Sequence, residues 1–240
     1  GLGVWAVSPA GASRTYSFTS GNHAASAAFA IDGSHLVITL TNTSTEDTRV
    51  PSDVLTAFFF GSTADLSGLS RVSALLAPGS TVILDPDGPP AGGVVGGEWA
   101  YKLHGSQLRP AHGISSSGLD LFGPGDRFPG ADLAWPPSLA GVNYGIVSAG
   151  DDPATGNGGI MNTGGLIKNA VVFRLGGLPT DFGLHQLGDT VVFQYGSGLN
   201  EPSFSGHNHN SGPQIPELAV WQFSAFVALG GLALLRRRRA

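Results

Sequence analysis

The sequence predicts an all-β body of the β-sandwich or jelly-roll kind, followed by a linker and one C-terminal transmembrane helix. Three observations predict it. Apolar and polar residues alternate over several short runs, Gly- and Pro-rich turns separate those runs, and one uncharged apolar segment stands directly before four arginines. Alternation with one drier face marks antiparallel strands. Short strands with Gly/Pro punctuation suit a sandwich or jelly roll.

The 240 residues suffice for one sandwich-sized domain or two small ones. Hydrophobic residues make up 41% and charged residues 12%, about half the usual ~25% charged. Disorder goes with low hydrophobicity and high charge, so the 37 glycines and 16 prolines read as turns within a folded body. Cysteine is absent, which excludes zinc-thiolate sites, iron–sulfur clusters and thiol catalysis. A chain this long builds a core without disulfides.

From the first residue onward, Leu2, Val4, Trp5, Ala6 and Val7 precede Ser8-Pro9 and Ala10-Gly11-Ala12. Residues 1–12 thus read as a signal-peptide remnant with an A-x-A cleavage site, the alternative being a short edge strand. A β-rich extracytoplasmic domain is expected over 13–202. Its strand candidates are the runs around Tyr16 and Phe18, and around Leu36, Ile38 and Leu40. Val54–Phe60, Thr81–Leu84, Glu98–Leu103, Ala170–Leu175 and Thr190–Tyr195 follow. Asp32-Gly33, Pro78-Gly79, Asp87-Gly88, Pro124-Gly125 and Gly176-Gly177 are turn signals. Leu66, Leu69, Val72, Leu75 and Leu76 share one face of a possible short helix, and Pro86–Gly97 reads as a long flexible loop. Residues 203–215 are polar, lack a strand pattern and are expected to be a flexible linker.

Leu218–Leu235 is 18 residues without a charge, about 27 Å as a helix, enough for a bilayer core. Trp221 sits like an interfacial anchor, and Arg236, Arg237, Arg238 and Arg239 follow as a cytoplasmic stop cluster. Everything before Pro216 is then expected outside the cytoplasm. Between Ser13 and Pro216 there are 8 basic and 16 acidic residues, a balance of −8 against −5 for the whole chain. With no basic patch to follow phosphates, nucleic-acid binding is not expected.

Pro216-Glu217, the apolar helix and the arginine cluster together resemble the PEP-CTERM sorting signal, although Leu218 stands where the motif usually has a second proline. The resemblance, over residues 216–240, implies export and handling by an exosortase, a membrane protease–transpeptidase that removes or replaces the helix. The body also resembles one group of exosortase-dependent surface proteins. The matching stretches are Leu40-Thr41-Asn42-Thr43-Ser44, Pro51-Ser52-Asp53-Val54-Leu55, Tyr144-Gly145-Ile146 and Val192-Phe193-Gln194-Tyr195-Gly196 with Leu199, Glu201 and Pro202. That resemblance implies a surface location rather than a chemistry.

Candidate chemistry is sparse. His207 and His209 could bind Zn²⁺ or Ni²⁺ weakly, but a flexible linker does not fix a site. Asp85-Pro86-Asp87-Gly88 and Asp151-Asp152 offer oxygens without the EF-hand pattern, and fit turn chemistry as well as calcium. Asn42-Thr43-Ser44 is an N-glycosylation sequon, which in a bacterial envelope protein arises by chance. No G-x-S-x-G, H-E-x-x-H or P-loop occurs, so no enzymatic activity or cofactor is expected. His185 lies among apolar residues and reads as packed. Asp181, Asp189 and Glu201 could pair as glycosidase carboxylates, with only their presence to suggest it. Gln194-Tyr195-Gly196 reads as the last strand and a turn. Trp99, Tyr101 and Trp135 are core or, alternatively, an aromatic platform for a glycan. The expected function is a non-catalytic cell-surface or matrix protein associated with exopolysaccharide or biofilm. The alternatives are a carbohydrate-binding or carbohydrate-cleaving module, or a permanently anchored single-span protein.

Overall fold

The computed structural model describes residues 13–104 and 110–208. The expected signal remnant, the sorting motif Pro216-Glu217, the Leu218–Leu235 helix and the Arg236–Arg239 cluster lie outside the described residues. Among the described residues no helix is long and apolar enough to cross a membrane.

The body is all-β. Its strands are β1 (Ser13–Ser20), β2 (His23–Asp32), β3 (His35–Asn42), β4 (Leu55–Phe60), β5 (Ser70–Leu76), β6 (Thr81–Ile83) and β7 (Ala100–Leu103). They continue with β8 (His112–Ser115), β9 (Ile146–Val147), β10 (Leu166–Lys168), β11 (Ala170–Gly176), β12 (Thr190–Tyr195) and β13 (Ser203–Asn208). The single α-helical turn among the described residues is α1 (Gly158–Met161). The strands form one continuous hydrogen-bonded path, β5-β11-β3-β2-β1-β13-β12-β4-β9-β10-β6, with β8 and then β7 branching from β4.

That single path supplies the layers a sandwich would take from two sheets. Phe29 on β2 meets Phe58 and Phe60 on β4 with ring centroids 5.9 and 5.3 Å apart. Those strands stand four places apart in the path, so the sheet folds over on itself to bring them face to face. The path's two ends, β5 and β6, are joined by the four-residue turn Ala77–Ser80, which spans at most ~14 Å. Inside lie Tyr16, Ile38, Phe58, Trp99, Phe173 and Phe193, each fully buried.

β1, β2 and β3 form the longest pairing. β1 runs in register with β2 from Ser13↔Ala30 to Ser20↔His23, and β2 with β3 from Ala25↔Asn42 to Asp32↔His35. The second reversal uses Gly33 at φ +59°, a left-handed conformation that glycine adopts without a Cβ penalty.

Three sequence expectations are corrected. Residues 203–208 are the strand β13, between β12 and β1, and not linker. The Ser/Gly/His/Asn composition hides a strand whose partners supply its order. Leu66–Leu76 is not a helix. Leu66 and Leu69 close a turn (Leu69 N–H to Leu66 O, 3.1 Å), and β5 pairs with β11 instead. Short apolar runs satisfy both periods, and an open sheet edge decides between them. Pro86–Gly97 is not a free loop throughout. Gly96 and Gly97 are buried against the backbone of residues 129–131, where a Cβ on Gly97 would stand 1.8 Å from the Ala131 carbonyl oxygen.

Candidate functional site

Four separate stretches, at residues 40–44, 51–55, 144–146 and 192–202, meet in space. Asn42, at the end of β3, is buried. Its side-chain amide donates to Ile146 O (3.0 Å), and its Oδ1 accepts from Ser44 N–H (3.0 Å). The sequon's nitrogen is therefore committed inside the fold and not available to a glycan. Pro51–Asp53 forms a 3-10 turn, in which Asp53 Oδ2 accepts from the Arg49 and Val50 N–H groups (3.1 and 3.2 Å). Gly145 packs so tightly that a Cβ would lie 2.4 Å from Val54 Cγ1. Gly196 N–H donates to Val54 O (2.9 Å), and Thr56 Oγ1 donates to Gly196 O.

Gln194 is fully buried and organises the turn after β12. Its Nε2 faces four carbonyl oxygens: Tyr195 at 2.8 Å, Gly198 at 3.0 Å, and Glu201 and Pro202 at 3.2 Å each. Glu201 Oε2 accepts from the N–H groups of Ser197 (2.5 Å) and Gly198 (2.7 Å). The segment is a strand and turn as expected, although β13 follows it, so it is not the last strand.

Beside this junction opens a cleft of about 240 Å³, lined by Pro51, Gly141, Val142, Asn143, Gly159, Asn162, Thr163 and Ser197. None of these residues is charged. Asn143 is buried. Its Oδ1 accepts from Gly164 N–H (3.0 Å), and its Nδ2 reaches Trp135 O (3.5 Å). The Thr163 hydroxyl is buried and has no hydrogen-bond partner. Trp135 is 81% exposed.

The candidate platform does not assemble. Trp99 is fully buried with its ring 5.0 Å from Phe173, and Tyr101 is buried with its hydroxyl 2.9 Å from His112 Nδ1. Only Trp135 reaches solvent. Tyr101–His112 is a core polar pair. Burial, aided by His104, depresses His112 to about 4, so the ring paired with the Tyr101 hydroxyl is neutral. His185 is exposed on the 3-10 turn Leu184–Gln186, contrary to the packed role expected from its apolar neighbours. His207 is exposed on β13, and His209 lies outside the described residues.

Sequence reasoning missed Glu98. It is buried, its Oε1 accepts from the N–H groups of Leu133 and Ala134, and its Oε2 meets the Ser138 hydroxyl. Ser138 Oγ also lies 2.8 Å from Asp132 Oδ1, and Arg127 pairs with Asp132 Oδ2 at 2.9 Å. The Ser138 hydroxyl thus stands between two carboxyl groups, donating toward both Glu98 and Asp132. Burial raises Glu98 above the ordinary carboxylate range. Burial would raise Asp132 also, but hydrogen bonds from Ser138 and Arg127 hold it below. Gly96-Gly97 immediately before Glu98 was the available signal, since paired glycines allow the close backbone approach that buries the acid.

Several other acids serve the scaffold. Asp85 accepts from the Tyr144 hydroxyl. Asp151 Oδ1 accepts from Thr48 N–H (2.6 Å), and Lys168 Nζ donates to the Asp151 carbonyl (2.7 Å). Asp152 caps the 3-10 turn at Pro153. Asp189 pairs with Arg14 at 3.4 Å, Asp181 is exposed, and Glu201 holds its turn. In comparisons with protein-family models, curated proteins and solved structures, nothing matches the chain.

Proposed function

We propose that the protein is an exported surface or matrix component, delivered by an exosortase-type sorting tail and acting without catalysis. The observation that carries this reading is the tail: Pro216-Glu217, 18 uncharged residues from Leu218 to Leu235, then four arginines. An apolar span of that length suits a bilayer, and flanking arginine orients it with the body outside. The body adds support. Its surface-protein-like stretches form one hydrogen-bonded junction (Asn42 to Ile146, Gly196 to Val54), the role of a scaffold rather than of a reacting centre. Association with exopolysaccharide follows from the same reading.

The test is the C-terminal peptide of protein isolated from its native host, identified by mass spectrometry. A chain ending near Pro216-Glu217 is the expected result. If the peptide carrying Arg236–Arg239 is still attached, exosortase processing is wrong for this protein and the helix is a permanent single-span anchor.

A further inference from the structure

We propose that the uncharged cleft beside the Gln194 turn, together with Trp135, is a subsite for one neutral sugar ring of a polysaccharide chain. This deepens the surface-protein reading by giving the body a ligand class.

Three observations converge. First, the cleft is lined by Asn143, Asn162, Thr163 and Ser197 among small and apolar residues, with no charged side chain. Such a lining matches hydroxyl groups and offers no countercharge to a phosphate, carboxylate or amine. Second, the Thr163 hydroxyl is buried with no partner. Buried polar groups are almost always hydrogen-bonded, and an exception calls for an explanation. Thr163 lines the cleft, so rotation of its side chain toward the cleft would let a ligand hydroxyl supply the missing bond. Third, Trp135 is 81% exposed, and its segment is tied to the cleft wall. Asn143, which lines the cleft, bonds the Trp135 carbonyl at 3.5 Å. Gly164, next to Thr163, packs so closely on Ala134 that a Cβ would stand 2.5 Å away.

A solvent-exposed indole on a segment anchored to a neutral polar wall suits a sugar, which has an apolar C–H face for the ring and equatorial hydroxyls for the wall. At about 240 Å³ the cleft is smaller than the ~300 Å³ at which pockets for drug-sized ligands begin. One ring fits that space, so the single-site Kd is expected in the millimolar range. A polymer repeating the ring, on many copies of the protein, would bind more tightly by avidity.

The experiment uses the full chain in detergent micelles. Cellohexaose, laminarihexaose and the host's own exopolysaccharide are titrated separately, with tryptophan fluorescence and saturation-transfer NMR as readouts. The expected result is saturable binding of at least one of them. W135A should weaken it about 5- to 10-fold with unchanged thermal unfolding. T163V, which keeps the shape and removes the hydroxyl, should weaken it several-fold. The proposal is overturned if no glycan saturates, or if W135A and T163V bind as well as the parent. Because the C-terminal peptide is read separately, failure here leaves the sorting reading standing, and the converse holds.

Discussion

Replacing Gln194 by leucine should destabilise the body more than any other single hydrogen-bonding side chain near the cleft. Gln194 is fully buried, and its one amide group faces four carbonyl oxygens between 2.8 and 3.2 Å. Its two protons supply two good hydrogen bonds or several shared ones. Leucine keeps the bulk and removes the donors. The loss is then about 1 kcal/mol for each of two net hydrogen bonds. At least one carbonyl left unpaired away from water adds about 1 kcal/mol or more. The total is about 3 kcal/mol. For a domain of this size each kcal/mol shifts Tm by roughly 2–4 °C, so Q194L should unfold about 6–12 °C below the parent. Differential scanning calorimetry of the full chain at neutral pH reads this directly. Q194E separates polarity from donation, because it keeps the shape while turning oxygens toward carbonyls, and it should fall at least as far. A Q194L shift below about 2 °C would falsify the assignment of the amide as the organiser of the turn.

Two further outcomes follow from the core. His112 is held near 4 against its ordinary 6.5. Its stabilising contribution is therefore complete above pH 6.5 and is lost as pH falls toward 4, by about 3 kcal/mol for a shift of this size. Glu98, raised by burial, has the opposite sign: its contribution is complete below the ordinary carboxylate pKa and fades as pH rises through its folded value. H112F should flatten the Tm profile between pH 6.5 and 4 whatever its absolute Tm, and parallel profiles for H112F and parent refute the buried-neutral histidine. G97A should cost about 3 kcal/mol or more, since its Cβ would stand 1.8 Å from the Ala131 carbonyl oxygen and backbone must move. Equal chemical-denaturation midpoints for G97A and parent contradict that packing.

How far the sequence reaches is clearest strand by strand. Leu36, Ile38 and Leu40 alternate inward on β3 with burial to match, so the pattern and the strand agree. β2 escaped because five of its ten residues are alanine, a residue with little strand preference. Pairing along both edges, to β1 and β3, makes it a strand. β13 escaped for the related reason that its order comes from β12 and β1. The cleft was invisible because Pro51, Asn143, Thr163 and Ser197 are far apart in sequence, and neutral polar residues leave no motif. Trp135 was visible as an aromatic, but composition could not tell a solvent-facing indole from the buried one at Trp99.

The same limit explains why the junction residues and the cleft-lining residues are neighbours without being the same residues. Asn42, Val54, Gly145, Gln194 and Gly196 are interior and bond mainly to backbone, so changing one breaks a turn. Thr163, Trp135 and Ser197 border the cleft or the solvent, and changing one alters only what the surface can hold. A junction of that kind is a rigid frame carrying a replaceable face. On that argument, substitutions at positions 135, 143, 162 and 163 should change the proposed glycan binding while leaving the frame of inner residues standing.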